Sequence, residues 1–350
     1  NWPLQLPMVK SVVACMDAVQ EFAQEQAGHS VKHFVLTGGS KRGWTAMLSA
    51  AVDERVIAIA PIVSDLLNMP RSFAHHWSSY GFWAEALFPY EELGIFAWLD
   101  SPQNESLMEI VDPYRYLDRL TIPQFIIIAA GDDFFVSDSA QFYIHDLPGE
   151  IHLRVVPNTN HYLDEAQDSV FESLVPYYDA FLHEAPRPVF DWTVDAHGTL
   201  TVEASTPPKA VTLWQLTNPL DRDFRLSTTG AHWSSTPLPP QEDGTYVSNV
   251  PGPLEGWTAY FIELVFDGRE LGGIAFDYTL STEIVILPQT RPFEADLNRD
   301  RVTDLRDLMV FCEDWLTNNS YRDVWPRRQG DATVNFSDFA LLGTHWGQSP

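Results

Sequence analysis

Val35-Leu-Thr-Gly-Gly-Ser-Lys-Arg-Gly-Trp44 decides how this chain is read: an apolar run ends in two glycines and a serine, then opens into an Ala/Leu-rich stretch. The pattern predicts strand, tight turn and helix, with Ser40 at the apex. Such a turn lifts a hydroxyl above a parallel sheet and sets the next backbone N–H, that of Lys41, at a helix N-terminus facing a developing oxyanion. The motif departs from G-x-S-x-G, because Arg42 stands where the second glycine belongs and Gly43 follows one place later. A Gly/Ser connector carries the same residue types, so assigning Ser40 as nucleophile depends on its partners.

Upstream, Met8, Val9, Val12, Val13, Met16, Val19, Phe22 and Ala23 recur at three- and four-residue spacing, which predicts an amphipathic helix over Leu6–Ala27 closed by Gly28. It leads into the strand Val31–Thr37. A sheet of α/β-hydrolase type has several strands before its nucleophile, including the one whose loop supplies the second oxyanion N–H. The sequence therefore reads as N-terminally truncated, with that donor outside it.

Downstream, Trp44–Val52 reads as the elbow helix and Val56–Val63 as a buried parallel strand, with Asp65 just past it. Residues 66–120 then form an aromatic insertion, placed to be a lid or pocket wall. Within it His75, His76 and Trp77, with Arg42 beside the nucleophile, are candidate substrate contacts. Adjacent histidines on a helix point apart and no ligand-spaced partner follows, so packing or substrate contact is favoured over a metal pair.

Phe125–Ala130 is the next buried strand and runs into Gly131-Asp-Asp-Phe-Phe-Val-Ser-Asp138. An acid at the tip of a later strand is where a Ser-His-Asp hydrolase orients its histidine. Asp132 takes that role, Asp133 is the competing acid, Asp65 a third, and Asp138 is expected to cap a helix starting at Ser139. One more strand, His152–Pro157, precedes His161 in a polar loop. Ser40, Asp132 and His161 thus follow predicted strands in the chain order of the fold.

Composition limits the partners. With 48 Asp+Glu against 21 Lys+Arg the net charge is −27, which leaves little basic surface for nucleic acid. Hydrophobic residues at 45% and aromatics at 13% ensure real cores. Cys15 and Cys312 form no disulfide framework, and no stretch approaches the length of a membrane span.

Trp2-Pro-Leu…Leu-Pro-Met-Val-Lys-Ser11, Ser40-Lys-Arg-Gly-Trp44, Val111-Asp-Pro-Tyr114, Gly131-Asp…Phe-Phe135, Leu147-Pro-Gly-Glu150, Val156-Pro-Asn-Thr-Asn-His161 and Leu213-Trp-Gln-Leu-Thr-Asn218 together resemble the PhoPQ-activated pathogenicity-related protein family. The likeness covers about residues 1–290. It implies an exported α/β-hydrolase-like protein, extracellular or periplasmic, with a poorly defined natural substrate. The family often has another residue where Asp133 stands, which supports Asp132 as the acid.

Past Pro186-Arg-Pro188 the composition shifts to short alternating runs, Thr199–Ala204, Val211–Leu216, Tyr246–Val250, Ala259–Phe266 and Ile274–Leu280, which predict a small β-sandwich over 185–290. In the tail, residues 291–350, Asp296, Asn298, Asp300, Asp304 and Asp307 occupy positions 1, 3, 5, 9 and 12 of a loop suited to Ca²⁺. A capped acidic helix start explains the same residues. The layout resembles a dockerin-type repeat, which implies a protein partner for the tail. A second copy is read from Gln329 to Trp346, with Arg327 at its first-acid position, and Arg301 replaces the glycine at position 6 of the first.

The sequence thus predicts an α/β fold in three parts: a truncated α/β-hydrolase core over 1–184, a β-sandwich and an EF-hand-like tail. It predicts an exported serine esterase acting on a small-molecule or glycan-linked ester, without a catalytic cofactor. The rival is a silent hydrolase-like scaffold.

Overall fold

The computed structural model describes residues 3–319, 321–325 and 330–348. Trp2, Arg327 and Gln329, invoked above, lie outside these. Helix α1 (Gln5–Ala27) ends at Gly28, whose left-handed backbone turns its N–H back onto the carbonyls of Ala23 and Gln24. Strand β1 (Phe34–Gly39), helix α2 (Lys41–Ala50) and strand β2 (Val56–Ile62) follow. The elbow helix starts at Lys41 rather than Trp44, because Ser40 alone makes the turn.

Helices α3 (Met69–Tyr80), α4 (Phe88–Glu92) and α5 (Pro102–Val111) lie in the aromatic insertion. Strands β3 (Gln124–Ala129) and β4 (Ile151–Val156) complete a parallel sheet in the order β1-β2-β3-β4. β3 is buried along its whole length, which is why its sequence shows no alternation. Helix α6 (Gln167–His183) packs against the sheet through Leu174 and Tyr177.

Beyond α6 come β5 (Phe190–Val194), β6 (Leu200–Ala204), β7 (Ala210–Asn218), the short helix α7 (Leu226–Thr229), β8 (Ser234–Pro237), β9 (Tyr246–Val247), β10 (Trp257–Leu271), β11 (Ile274–Ser281) and β12 (Val285–Leu287). They form two antiparallel sheets, β11-β10-β7-β8 with β12 on β10, and β5-β6-β9. One hydrophobic cluster runs from Met47, Ile59 and Phe125 to Phe261 and Leu264, so apolar packing is continuous across residue 184. Polar contacts cross there too: Ser281 Oγ accepts the Val155 N–H at 2.8 Å, and Tyr278 donates to the Pro176 carbonyl at 2.7 Å.

The tail folds around its own cluster of Leu297, Phe311, Val334 and Leu342. Helices α8 (Leu305–Glu313) and α9 (Phe336–Thr344) both open on a capping box, Asp304 with Asp307 and Asn335 with Asp338. Each box satisfies N–H groups that the helix itself leaves open.

The two loops share a pair of side-chain bonds. Asp296 Oδ1 and Oδ2 accept the N–H groups of Asp300 and Arg301; Asp323 Oδ1 and Oδ2 accept those of Asp331 and Ala332. The first acid of the second copy is therefore Asp323, and the Arg327 register is corrected. Asp296 precedes Asp300 by four residues and Asp323 precedes Asp331 by eight, an insertion of four that fixed spacing hides. The segment after each helix pairs with the loop of the other: Gly347 donates to Thr303 at 2.8 Å, and Leu316 to Val334 at 2.8 Å.

Arg301 (φ 70°) and Ala332 (φ 64°) both hold left-handed backbone at the sixth loop position. A Cβ costs energy there and glycine does not. Ala332→Gly should stabilise the tail by about 1 kcal/mol, read as a higher denaturant midpoint for a probe in α9; an unchanged or lower midpoint contradicts this backbone assignment.

Candidate active site

Ser40 sits where β1 crosses into α2, with φ 56° and ψ −126°, a conformation costly for any residue with a Cβ. Its N–H donates to the Ile62 carbonyl at 2.8 Å, and its carbonyl accepts the Ser64 hydroxyl and the Trp44 N–H. Strand β2 and its exit on one side and helix α2 on the other thus hold the turn.

The glycines explain the altered motif. A Cβ on Gly38 would lie 2.6 Å from the backbone carbon of Arg42, and one on Gly43 would lie 2.5 Å from Ser64 Oγ and 2.7 Å from the Gly38 carbonyl oxygen. Close approach is needed before the serine and three places after it. Position 42 is exposed, so Arg42 is accommodated.

His161 Nε2 lies 2.9 Å from Ser40 Oγ, and its Nδ1 lies 2.8 and 3.1 Å from the two carboxylate oxygens of Asp132. These contacts assign the tautomer: Nδ1–H donates to Asp132 while Nε2 accepts the serine proton. Asp132 Oδ1 also accepts the N–H groups of Phe134 at 2.7 Å and Phe135 at 3.3 Å, so its orientation is fixed from behind. Both Asp132 and His161 are buried. The imidazole is flanked by Phe134 and Phe135, with ring centroids 4.3 and 6.0 Å away. The Lys41 N–H occupies the first helical position, where the helix supplies no acceptor.

The other acids stand apart. Asp133 is not hydrogen-bonded to the imidazole; burial pushes its carboxyl up, opposed by the Arg225 charge and the His161 backbone. Asp65 lies beyond β2 and accepts the Tyr143 hydroxyl at 2.7 Å. Burial pushes its carboxyl up to about 8, against the Tyr143 bond.

Asp138 makes no cap bond to the turn that begins at Ser139. Its oxygens instead meet His75 Nε2 at 2.7 Å and Arg222 Nη2 at 2.6 Å. Burial alone would raise this carboxyl, yet Arg222 and His75 hold it well below the usual range, while burial pushes His75 down to about 4. A neutral His75 thus donates to an ionised Asp138.

The remaining expected substrate contacts are engaged elsewhere. His76 is buried and accepts the Ala84 N–H at 3.1 Å, and Trp77 Nε1 donates to Asp296 at 2.9 Å. Neither they nor His75 bonds to the Ser40–His161–Asp132 set. Arg42 and Lys41 are exposed beside the serine.

Sequence reasoning missed the segment 222–226. Arg222 also donates to Ser79 at 3.0 Å, and the Leu226 N–H donates to the Gly131 carbonyl at 3.0 Å. Arg225 grips Asp223 and lies over Tyr80 and Phe82, 5.2 Å from each ring. These residues lie about 60 positions past His161 in sequence, where no local motif points back to the sheet.

The tail residues form a different kind of cluster. Their oxygens suit a hard cation, and the side chains of Asp296 and Asn298 both meet the Asp300 N–H, at 3.0 and 2.8 Å. Asp304 and Asp307 are engaged in the helix start. Among the described residues no group of three or more His, Cys, Asp or Glu is arranged to hold a metal ion.

Residues 1–225 match the PhoPQ-activated pathogenicity-related protein family. The chain is similar to autocrine proliferation repressor protein A of Dictyostelium discoideum, 37% identical over 314 residues that cover 83% of this chain and 63% of that protein. It thus spans less than two thirds of that relative's length. Among solved structures it is similar to an acylaminoacyl peptidase of Pyrococcus horikoshii (14% identity, TM-score 0.35, covering 47% of this chain and 26% of that one). It is also similar to an alpha-beta serine hydrolase homologue from Coxiella burnetii (10% identity, TM-score 0.32, covering 51% and 61%). Likeness this distant carries no argument about chemistry. No described helix is long and apolar enough to cross a membrane.

The elbow geometry makes a prediction about its two kinds of glycine. Gly43→Ala should destabilise the chain by about 1–3 kcal/mol through overpacking, whereas Gly39→Ala, whose Cβ would meet nothing within 4 Å, should cost less. Equal losses in urea unfolding would contradict the close approach.

Proposed function

The chain belongs to the PhoPQ-activated pathogenicity-related protein family, and we propose that this member is an exported serine hydrolase that cleaves a carboxylic ester in preference to an amide. The observation that carries the reading is one imidazole hydrogen-bonded to both a serine hydroxyl and a buried carboxylate. An orienting acid behind the base separates this set from a chance Ser–His contact.

In the proposed reaction His161 Nε2 removes the Ser40 proton as Oγ attacks the ester carbonyl. Asp132 holds Nδ1–H and stabilises the imidazolium that forms. The Lys41 N–H donates to the tetrahedral oxyanion. His161 then returns the proton to the leaving alkoxide, which departs as an alcohol and leaves an acyl-Ser40 ester. Water, deprotonated by the same nitrogen, releases the acid and restores Ser40. Phe134 and Phe135 shield the imidazole from solvent on one side, which strengthens its bonds to both partners.

A serine-directed fluorophosphonate tests this on the chain as it stands, because labelling reports the nucleophile without a known substrate. Wild type should be labelled at Ser40, Ser40→Ala should not, and Asp132→Asn should be labelled about 10³–10⁴-fold more slowly. Asp133→Asn should stay within about tenfold of wild type, since that carboxyl does not touch the imidazole. No labelling of wild type with the three residues intact would sink the enzyme reading, and equal losses from Asp132→Asn and Asp133→Asn would sink the choice of acid.

Ca²⁺ binding by Asp296, Asn298, Asp300, Asp304 and Asp307 is a separate proposal, one that requires Asp304 and Asp307 to turn from the helix start toward the ion. Calorimetric titration of the full chain should give heat that Asp300→Ala removes; a flat wild-type titration would exclude it.

A further inference from the structure

The first acids of the two tail loops share one more feature. Asp296 Oδ2, already accepting the Arg301 N–H, also accepts Trp77 Nε1 at 2.9 Å. Asp323 Oδ2, already accepting the Ala332 N–H, also accepts Arg71 Nη2 at 2.9 Å, while the Asp323 carbonyl accepts Arg71 Nη1 at 3.1 Å. In each loop the same oxygen of the same loop position takes a donor from helix α3. Arg71 and Trp77 lie six residues apart, about 9 Å along the helix axis, so the two loops grip α3 at two separated points.

Other contacts join the same surfaces. The Phe293 N–H donates to the Ser78 carbonyl at 2.9 Å, and the Phe293 ring fills the space where a Cβ on Gly81 would stand. Tyr321 packs with Leu87, Phe96 and Leu99, and its hydroxyl accepts Asn104 Nδ2 at 3.1 Å. Arg299 and Arg322 both reach Asp100, at 3.1 and 2.7 Å. The tail thus meets the aromatic insertion from α3 to α5. Asp323 is 1% exposed and Arg322 6%, so these charges are removed from water and each depends on its own partner, Arg71 for the first and Asp100 for the second.

Helix α3 reaches in turn toward the serine. Its Phe73 packs in one cluster with Trp44 and Phe135 and in another with Phe134, and those two phenylalanines flank the His161 ring.

From this arrangement we propose that the tail is an intramolecular strap: Asp296 and Asp323 fasten helix α3, and through it the aromatic packing that reaches Phe134 and Phe135, so that the first acids of the two loops act as the two buckles of a clamp. The tail and the insertion then form one cooperative unit, and loosening either side loosens the other by the same free energy.

Hydrogen exchange on the full chain tests this without reference to activity, so its outcome is independent of the hydrolase reading. Asp296 and Asp323 also hold their own loops, so the decisive variants lie on the α3 side. In Arg71→Leu/Trp77→Phe, amides of α8 and α9 should exchange at least tenfold faster than in wild type, while those of β3 keep their rates. In Asp323→Asn, amides of α3 should speed up at least tenfold. Rates in α8 and α9 within twofold of wild type in Arg71→Leu/Trp77→Phe would overturn the strap, as would acceleration that extends equally through β3, which marks general unfolding.

Discussion

The carboxyl edge of the parallel sheet depends on one backbone crossing. At Ser40 the chain leaves β1 in a conformation that holds only because Gly38 and Gly43 lack a Cβ, which lets α2 come within contact distance of both adjoining strands. The strain is offset by hydrogen bonds from Ser40 to Ile62 and from Ser64 to Ser40, so the strand exits of β1 and β2 are locked together. The hydroxyl then stands at the height where the loops after β3 and β4 deliver Asp132 and His161. A change of one residue in the turn would move the hydroxyl away from Nε2, and a 2.9 Å hydrogen bond has little tolerance.

Beyond that crossing, buried charge organises how α3 meets the sheet edge. Asp138 sits among His75, Arg222 and Gln141, three segments far apart in sequence. An ionised carboxylate in this position is costly unless every oxygen is engaged, and each one is. The node fixes α3 and residues 222–226 against the loop after β3. The charge that the chain carries in excess is therefore not all surface charge. Part of it is used inside to set which elements meet, as Asp296 and Asp323 show again along α3.

Local patterns made much of this legible. The apolar runs identified β1, β2, β3 and β4 to within a few residues; β2 and β3, buried along most of their length, must be apolar on both faces. Gly28 closed α1 as read, and the chain order Ser40, Asp132, His161 singled out three side chains that the structure joins by hydrogen bonds. The choice between Asp132 and Asp133 had no local answer, since adjacent acids differ only in which one the loop turns toward the ring. Asp138 looked like a helix cap because Asp before Ser-Ala-Gln is a capping pattern, yet a buried arginine from residue 222 outcompetes a backbone N–H for its carboxylate.

What the sequence by itself determined is whatever depends on neighbours a few residues away: the strand–turn–helix with its glycines, the capped helix starts of α8 and α9, and the oxygen-rich loops before them. Only the tertiary structure decided what those groups do. Fixed spacing placed Arg327 at a loop position that Asp323 fills, because a four-residue insertion shifts the register and only the N–H groups of Asp331 and Ala332 reveal it. Likewise no spacing rule joins Asp296 to Trp77 or Asp323 to Arg71 across more than two hundred residues. Their pairing follows from burial, which removes water as the competing partner and makes each charge depend on whichever donor the fold brings within reach.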